Sequence, residues 1–210
     1  MTGQKSTKNK QIPATLKNIE KWQISRRGFV KKLLIAGTIT QIPFLFSCVD
    51  NSFNEEKLPF GQLNAKQKNI LKEIQLILFP NDGNGPSAND INALNYIQWV
   101  ISDSRMDSTE VDYIINGIKW IEETSEETFS DDFLELSEKK KKKLIVIVSK
   151  EGWGENWLSV VLTFIFEALL SDSQYGGNTK SVGWKWLNHN PGYPRPTEDL
   201  LYNNIFKNIV

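Results

Sequence analysis

Apolar residues recur at helical spacing along most of the chain from residue 63 onward. Asn64 is placed to cap a helix that runs to Phe79, with Ile70, Leu71, Ile74, Ile77 and Leu78 on one side. The loop from Pro80 to Pro86 stops it. Ser87 or Asn89 is expected to cap a second helix over about Ala88–Ser102, with Ile91, Leu94, Ile97 and Ile101 inward. Asp107-Ser108-Thr109-Glu110 has the form of a capping box. It opens a third helix whose Val111, Ile114, Ile115, Ile118 and Ile121 make one stripe. Acidic, polar Glu122–Asp132 reads as a loop, and Ser137 as the cap of a fourth helix. In that helix the lysine run Lys139–Lys143 precedes apolar Leu144–Val148, and the run reads as a solvated first turn and a half.

The fifth helix, Trp157–Leu170, is apolar almost all round. Ser159, Thr163 and Glu167 stand four apart and form one narrow polar stripe, which Ser171 continues. A helix of this kind is wrapped by other apolar surfaces and is central to its domain. No hairpin pattern, internal repeat or phosphate-binding glycine loop is seen, because Gly176-Gly177 opens no helix of the required form. The expected fold class is therefore all-α: a compact domain of about five helices followed by a long Gly/Pro/aromatic loop. The loop, Tyr175–Pro196, reads as irregular, and a long loop with this much aromatic surface is usually functional. A short amphipathic end, Leu200–Ile209, is expected to pack back on the domain.

Charge changes the picture at the N-terminus. The 210-residue chain is neutral overall, but residues 1–47 hold nine Lys/Arg against a single acidic residue, Glu20. The remainder carries an excess of eight acidic residues, which argues against nucleic acid as a partner. Residues 1–24 show no apolar period and read as unstructured. Ser25-Arg26-Arg27-Gly28-Phe29-Val30-Lys31 resembles a twin-arginine export signal, with Leu33–Ser47 as its mildly apolar stretch. Leu45-Phe46-Ser47-Cys48 resembles a lipoprotein cleavage box, and Cys48 is the only cysteine of the chain. Residues 1–48 are thus expected to form the signal, 49–62 a tether and 63–210 the folded domain. One Cys and one His leave no metal site of ordinary ligand type.

Within the loop, Gly176 and Gly177 permit backbone angles closed to other residues, and Asn178 can satisfy free backbone groups in such a turn. Tyr175, Gly176, Gly177, Asn178, Trp184, Trp186, His189 and Tyr193 are the candidate contact residues for a partner, with the aromatic rings as its anchors. Glu167 is expected to hydrogen-bond the backbone of the glycine turn and fix the loop on its helix. His189 has no visible acidic or nucleophilic neighbour, so no catalytic residue is assigned. Two other readings are weighed. One is a sugar-binding lipoprotein that stacks sugar rings on Trp184, Trp186 and Tyr193. The other is a hydrolase pairing Glu167 with Asp172.

Several of these pieces together resemble the gluconate 2-dehydrogenase subunit 3 family. They are Leu78-Phe79-Pro80 with Pro86-Ser87-Ala88, Gly154-Glu155-Asn156-Trp157, Phe166-Glu167-Ala168-Leu169-Leu170, Tyr175-Gly176-Gly177-Asn178, Gly183-Trp184-Lys185-Trp186 and Pro191-Gly192. The resemblance spans about Leu63–Pro196. It implies a small subunit without its own cofactor or catalytic residues. Its partner would be a GMC-type large subunit that carries FAD, with a cytochrome c as a further partner. The small subunit would support assembly and bring the large one through the twin-arginine translocase. The expected location is periplasmic and membrane-associated, through Cys48 if that residue is lipidated.

Overall fold

The computed structural model describes residues 61–192, 195, 197–201 and 204. Arg26, Arg27, Phe29, Cys48 and Tyr193, which carry the export, anchoring and one of the contact expectations, lie outside the described residues, as does most of the expected C-terminal helix. The described part is helical, without strands. Its helices are α1 (Ala65–Leu78), α2 (Ala93–Ile101), α3 (Ser108–Phe129), α4 (Glu138–Val148), α5 (Gly152–Leu170) and the short α6 (Val182–Leu187). The all-α class therefore holds, with one helix more than the periodicity predicts.

The starts of α1 and α3 are set by side chains. Asn64 Oδ1 accepts the Gln67 N–H at 2.8 Å, and Gln67 Oε1 accepts the Asn64 N–H at 2.9 Å. This reciprocal pair satisfies two donors at the start of α1. Asp107 Oδ1 accepts the Thr109 N–H at 2.7 Å at the start of α3.

Three boundaries differ from the expectation, each for a local reason. Helix α2 starts at Ala93 rather than near Ala88, because Asn92 has φ 55 and breaks the helical path. Ser87 instead closes a turn with Asp90 through a 2.6 Å hydroxyl–carboxylate bond. Helix α3 runs on through Phe129, where a loop was expected. Glutamate is a good helix former, and the polar residues there have tertiary partners. Glu122 pairs with Lys66 at 2.6 Å and accepts the Phe133 N–H at 3.1 Å. Ser125 is fully buried and donates to the Asp131 carbonyl at 2.8 Å. Finally, α5 begins at Gly152, five residues before Trp157.

Two compact units are distinguished. The first comprises residues up to Lys68 with Ile101–Val161; the second comprises Asn69–Val100 with Leu162–Val210. In the first, Val111, Ile114, Ile118, Ile121, Phe133, Leu144, Val148 and Trp157 are buried. Trp157 is inaccessible to solvent, and its indole N–H donates to the Ile114 carbonyl at 3.1 Å. Its ring occupies the space a Cβ would need at Gly117. Glycine on α3 is thus the condition for seating the tryptophan. Tyr113, Trp120 and Trp153 form an edge-to-face series, with centroids 5.7 and 5.3 Å apart. The lysine run is not uniformly solvated. Lys141 is buried with its ammonium 5.8 Å from the Phe133 ring centre, while Lys140 and Lys143 lie over Phe129.

In the second unit, Ile70, Leu71, Ile74, Phe79, Ile91, Ile97, Ile165, Phe166 and Leu169 are buried. Phe79 meets Phe166 edge to face at 6.0 Å. Thr163 and Glu167, from the polar stripe of α5, are exposed, as their spacing predicts.

Gly117→Ala should drive a methyl group into Trp157 and cost roughly 3 kcal/mol, the upper range for overpacking. In urea unfolding the midpoint should fall with an unchanged slope.

Candidate functional site

The site grows from the C-terminus of α5. The last carbonyls of a helix have no partner within it and must find donors elsewhere. Here the loop provides them. The indole N–H of Trp184 donates to the Leu170 carbonyl at 2.7 Å, and Asn178 Nδ2 donates to the Ser171 carbonyl at 2.9 Å. Asn178 Oδ1 accepts the Gly183 N–H at 2.7 Å, so one fully buried amide joins the end of α5 to the start of α6. This function for Asn178 is the one its sequence position suggests, carried further: it bonds backbone groups on both sides of the turn.

The glycines serve close approach. A Cβ on Gly177 would meet the Ala168 backbone at 2.8 Å, and one on Gly183 would collide with the Leu169 carbonyl. Gly176 has φ 87 and closes the 3-10 turn Ser173–Tyr175. Its carbonyl accepts from Asn92 Nδ2 at 3.0 Å and Asn95 Nδ2 at 3.3 Å. With Gly177 packed on helix backbone, this turn is not a phosphate cradle. Asn178, Lys180, Ser181 and Asn188 all have positive φ without being glycine. Such backbone is costly and persists only where the surroundings fix it.

The segment is therefore not wholly irregular, as glycine and proline content suggests. It contains the 3-10 turns Ser173–Tyr175 and Thr179–Ser181, then α6. Trp184 and Trp186 stand two apart on α6 and take different roles. Trp184 is 6 % exposed. The guanidinium of Arg195 lies 4.8 Å from its ring centre, and His189 meets it edge to face at 5.8 Å. Trp184 is thus part of the core, which removes it from the contact surface and from any sugar-stacking set. Trp186 is half-buried; its N–H donates to the Asn84 carbonyl at 2.7 Å, and its ring covers Gly85. His189 is exposed, with its backbone N–H on the Trp184 carbonyl at 2.8 Å.

Glu167 does not hold the glycine turn. Its carboxylate accepts from the Tyr96 hydroxyl at 3.3 Å, and the asparagines of α2 and the preceding turn hold Gly176 instead. Glu167 is exposed as a residue, but burial around its carboxyl raises the pKa, and the Tyr96 bond opposes that in part. Burial likewise pushes the Tyr96 phenol well up, helped by the nearby Glu167 charge. Asp172 is engaged elsewhere. Burial works against its ionisation, yet Arg195 and the Gln174 N–H outweigh it and hold the carboxyl below its ordinary range. Arg195 reaches Asp172 through Nε at 2.9 Å and Nη2 at 2.5 Å. Asp172 and Glu167 thus have separate partners, Arg195 and Tyr96, and no bond joins the two carboxyls.

Sequence reasoning missed four contributors: Asn92, Asn95, Tyr96 and Trp99. Asn89, Asn92 and Asn95 stand three apart, as do Tyr96 and Trp99, and this spacing is the signal that was available. Trp99 lies 5.9 Å from Tyr96 and 5.2 Å from Tyr175. The three half-buried rings make a continuous aromatic row beside Glu167. Among the described residues no group of three or more His, Cys, Asp or Glu is placed to hold a metal, and no helix is long and apolar enough to cross a membrane.

Compared with known proteins, the chain matches the family model described as gluconate 2-dehydrogenase subunit 3 over residues 65–192, more than half its length. No curated protein and no solved structure matches it.

The Asp172–Arg195 pair has a definite pH signature. Because the folded-state pKa is depressed, the stabilisation is present above about pH 4, the unfolded value, and is lost as pH falls through the folded value. Asp172→Asn keeps an acceptor for the Gln174 N–H but removes the charge. The variant should therefore lose less stability than the parent chain between neutral pH and pH 3, read as urea midpoints.

Proposed function

We propose a role that proceeds from one premise: the chain belongs to the gluconate 2-dehydrogenase subunit 3 family. It is the accessory, non-catalytic subunit of a periplasmic flavin-dependent dehydrogenase acting on gluconate or a related sugar. It supports assembly of the FAD-bearing large subunit, a GMC-type oxidoreductase, and carries it through the twin-arginine translocase. A cytochrome c takes the electrons, and a lipidated Cys48 holds the assembly at the membrane.

The observation that carries this reading is the family match over the helical domain and its aromatic loop. The geometry supports it in two ways. Asp172, named as an example of an acid that could partner Glu167, is bonded by Arg195. The loop, moreover, is held on the end of α5 by the Asn178 and Trp184 bonds while Tyr175, Trp186 and His189 retain outward surface. A pre-ordered surface loses less entropy on docking. Tyr175, Trp186, His189 and Tyr193 form the contact, joined by Trp99 and Tyr96; Asn178, Gly176 and Gly177 hold it in shape. Arg26 and Arg27 serve export because a flavoprotein loaded with FAD in the cytoplasm has to cross the membrane folded, as a passenger on a subunit bearing the signal.

Two outcomes test this. Replacing Arg26 and Arg27 together by lysine keeps the charge but loses the guanidinium fork. Cell fractionation should then find both this chain and the flavoprotein in the cytoplasm; a flavoprotein still fully periplasmic refutes the carrier role. Tyr175→Ala and Trp99→Ala should each weaken co-purification by roughly 2 kcal/mol, the range of an interface hot spot, with the helical circular dichroism unchanged. His189→Ala in a preassembled complex should leave sugar-dependent dye reduction intact, and loss of turnover there would make this chain a participant in the chemistry.

A further inference from the structure

Helix α4 carries a feature that the proposed role does not use. Its lysine run, Lys139–Lys143, begins at the second residue of the helix. Cations near a helix N-terminus oppose the helix dipole, and like charges four apart, as at Lys139 and Lys143, repel. Helix stability therefore does not account for the run. Neither is it neutralised. Among the described residues Lys139, Lys140, Lys142, Lys143 and Lys150 make no ion pair. Yet the chain beyond residue 47 has a surplus of eight acidic residues.

The helix buries one side through Lys141, Leu144, Ile145 and Val148. With 3.6 residues per turn, the opposite side presents Lys139, Lys143, Val146 and Lys150 in one row, flanked by Lys142. All five are exposed, and Val146 keeps 54 % of its surface open. Lys150 stays in the row because its N–H donates to the Ile147 carbonyl at 3.1 Å and extends the last turn. Lys140 and Lys143 hold their ammoniums 5.5 and 5.9 Å from the Phe129 ring centre, which gathers two charges at one place.

We propose that this face of α4 lies on an anionic lipid surface. The ammoniums meet headgroup phosphates, and Val146 enters the boundary between headgroups and acyl chains. Residue type decides the occupant. Lysine is a compact charge on a flexible stem, suited to a diffuse sheet of phosphates, and it is depleted at protein interfaces, which Trp, Tyr and Arg anchor. The exposed row has none of those three. Clusters of roughly four to eight basic residues on a helix are what anionic membranes attract, and an aliphatic side chain among them adds buried apolar area. The acidic surplus elsewhere disfavours nucleic acid. This inference rests on α4 and Phe129 alone, so it stands or falls independently of the partner surface.

The test places a reporter in the row. In the full-length chain, Cys48→Ser with Val146→Cys leaves one thiol, which takes an environment-sensitive dye. Vesicles of phosphatidylglycerol and phosphatidylcholine in equal parts should shift its emission to the blue with saturation, and pure phosphatidylcholine should not. A dye at this position reads contact by α4 itself, whatever the basic residues 1–47 bind. Lys139→Gln, Lys142→Gln and Lys150→Gln together remove charges that make no hydrogen bond, ion pair or ring contact among the described residues, so the helical circular dichroism should be unchanged. The lipid concentration for half the shift should rise about 100-fold, at roughly fivefold per lysine. Arginine at the same three positions should bind as the parent does. Three results each overturn the proposal: a glutamine variant that keeps the parent's shift, an equal shift with pure phosphatidylcholine, or a shift with polyglutamate but none with vesicles. The last would assign the face to an acidic protein.

Discussion

The end of α5 is the constraint on which the second unit depends. A helix that stops at Leu170 leaves carbonyls without donors of its own, and the loop that packs over them has to supply those donors. Trp184 and Asn178 bring the required donors from 14 and 7 residues further along the chain. To do so, the intervening backbone takes left-handed angles at non-glycine residues and passes within contact distance of α5 at Gly177 and Gly183. The strain and the glycines are thus consequences of the caps. Each such bond is worth about 1 kcal/mol net.

The helices were legible in the chain because most carry one apolar stripe at helical spacing, and the caps at Asn64 and Asp107 could be read residue by residue. What could not be read depended on distant partners. Glu122–Phe129 looks like an acidic loop until Lys66 and the Phe133 N–H are brought to Glu122. Asn92 fits the helical period, yet its left-handed backbone delays α2. Trp184 and Trp186 are indistinguishable by type and neighbourhood. Only the position of the Leu170 carbonyl decides that one is core and the other surface. Glu167 was assigned to the loop on proximity in sequence, whereas its bond is to Tyr96, 71 residues away.

Those differences refine what the candidate surface consists of. Residues that looked like one aromatic set divide into supports and display. Trp184 is covered by Arg195 and His189, and Asn178 is fully buried. Tyr175 instead joins Trp99 and Tyr96, which periodicity alone places on a helix with no special role. The loop and α2 therefore contribute jointly to one row of rings. The two asparagines on the Gly176 carbonyl fix how Tyr175 meets it.

The paired use of Asn178 has a consequence for how this surface behaves in time. One amide bonds the chain both before and after it, so neither bond can be lost while the other keeps its geometry. Fraying of the last turn of α5 would release Ser171, free Asn178 and unseat Gly183 in a single event. Amide protons from Ser171 to Trp184 should then exchange with solvent as one cooperative unit, with a common opening free energy. A surface displayed in this manner has only two states, assembled or absent, and whatever binds it reads out directly whether the helix beneath is intact.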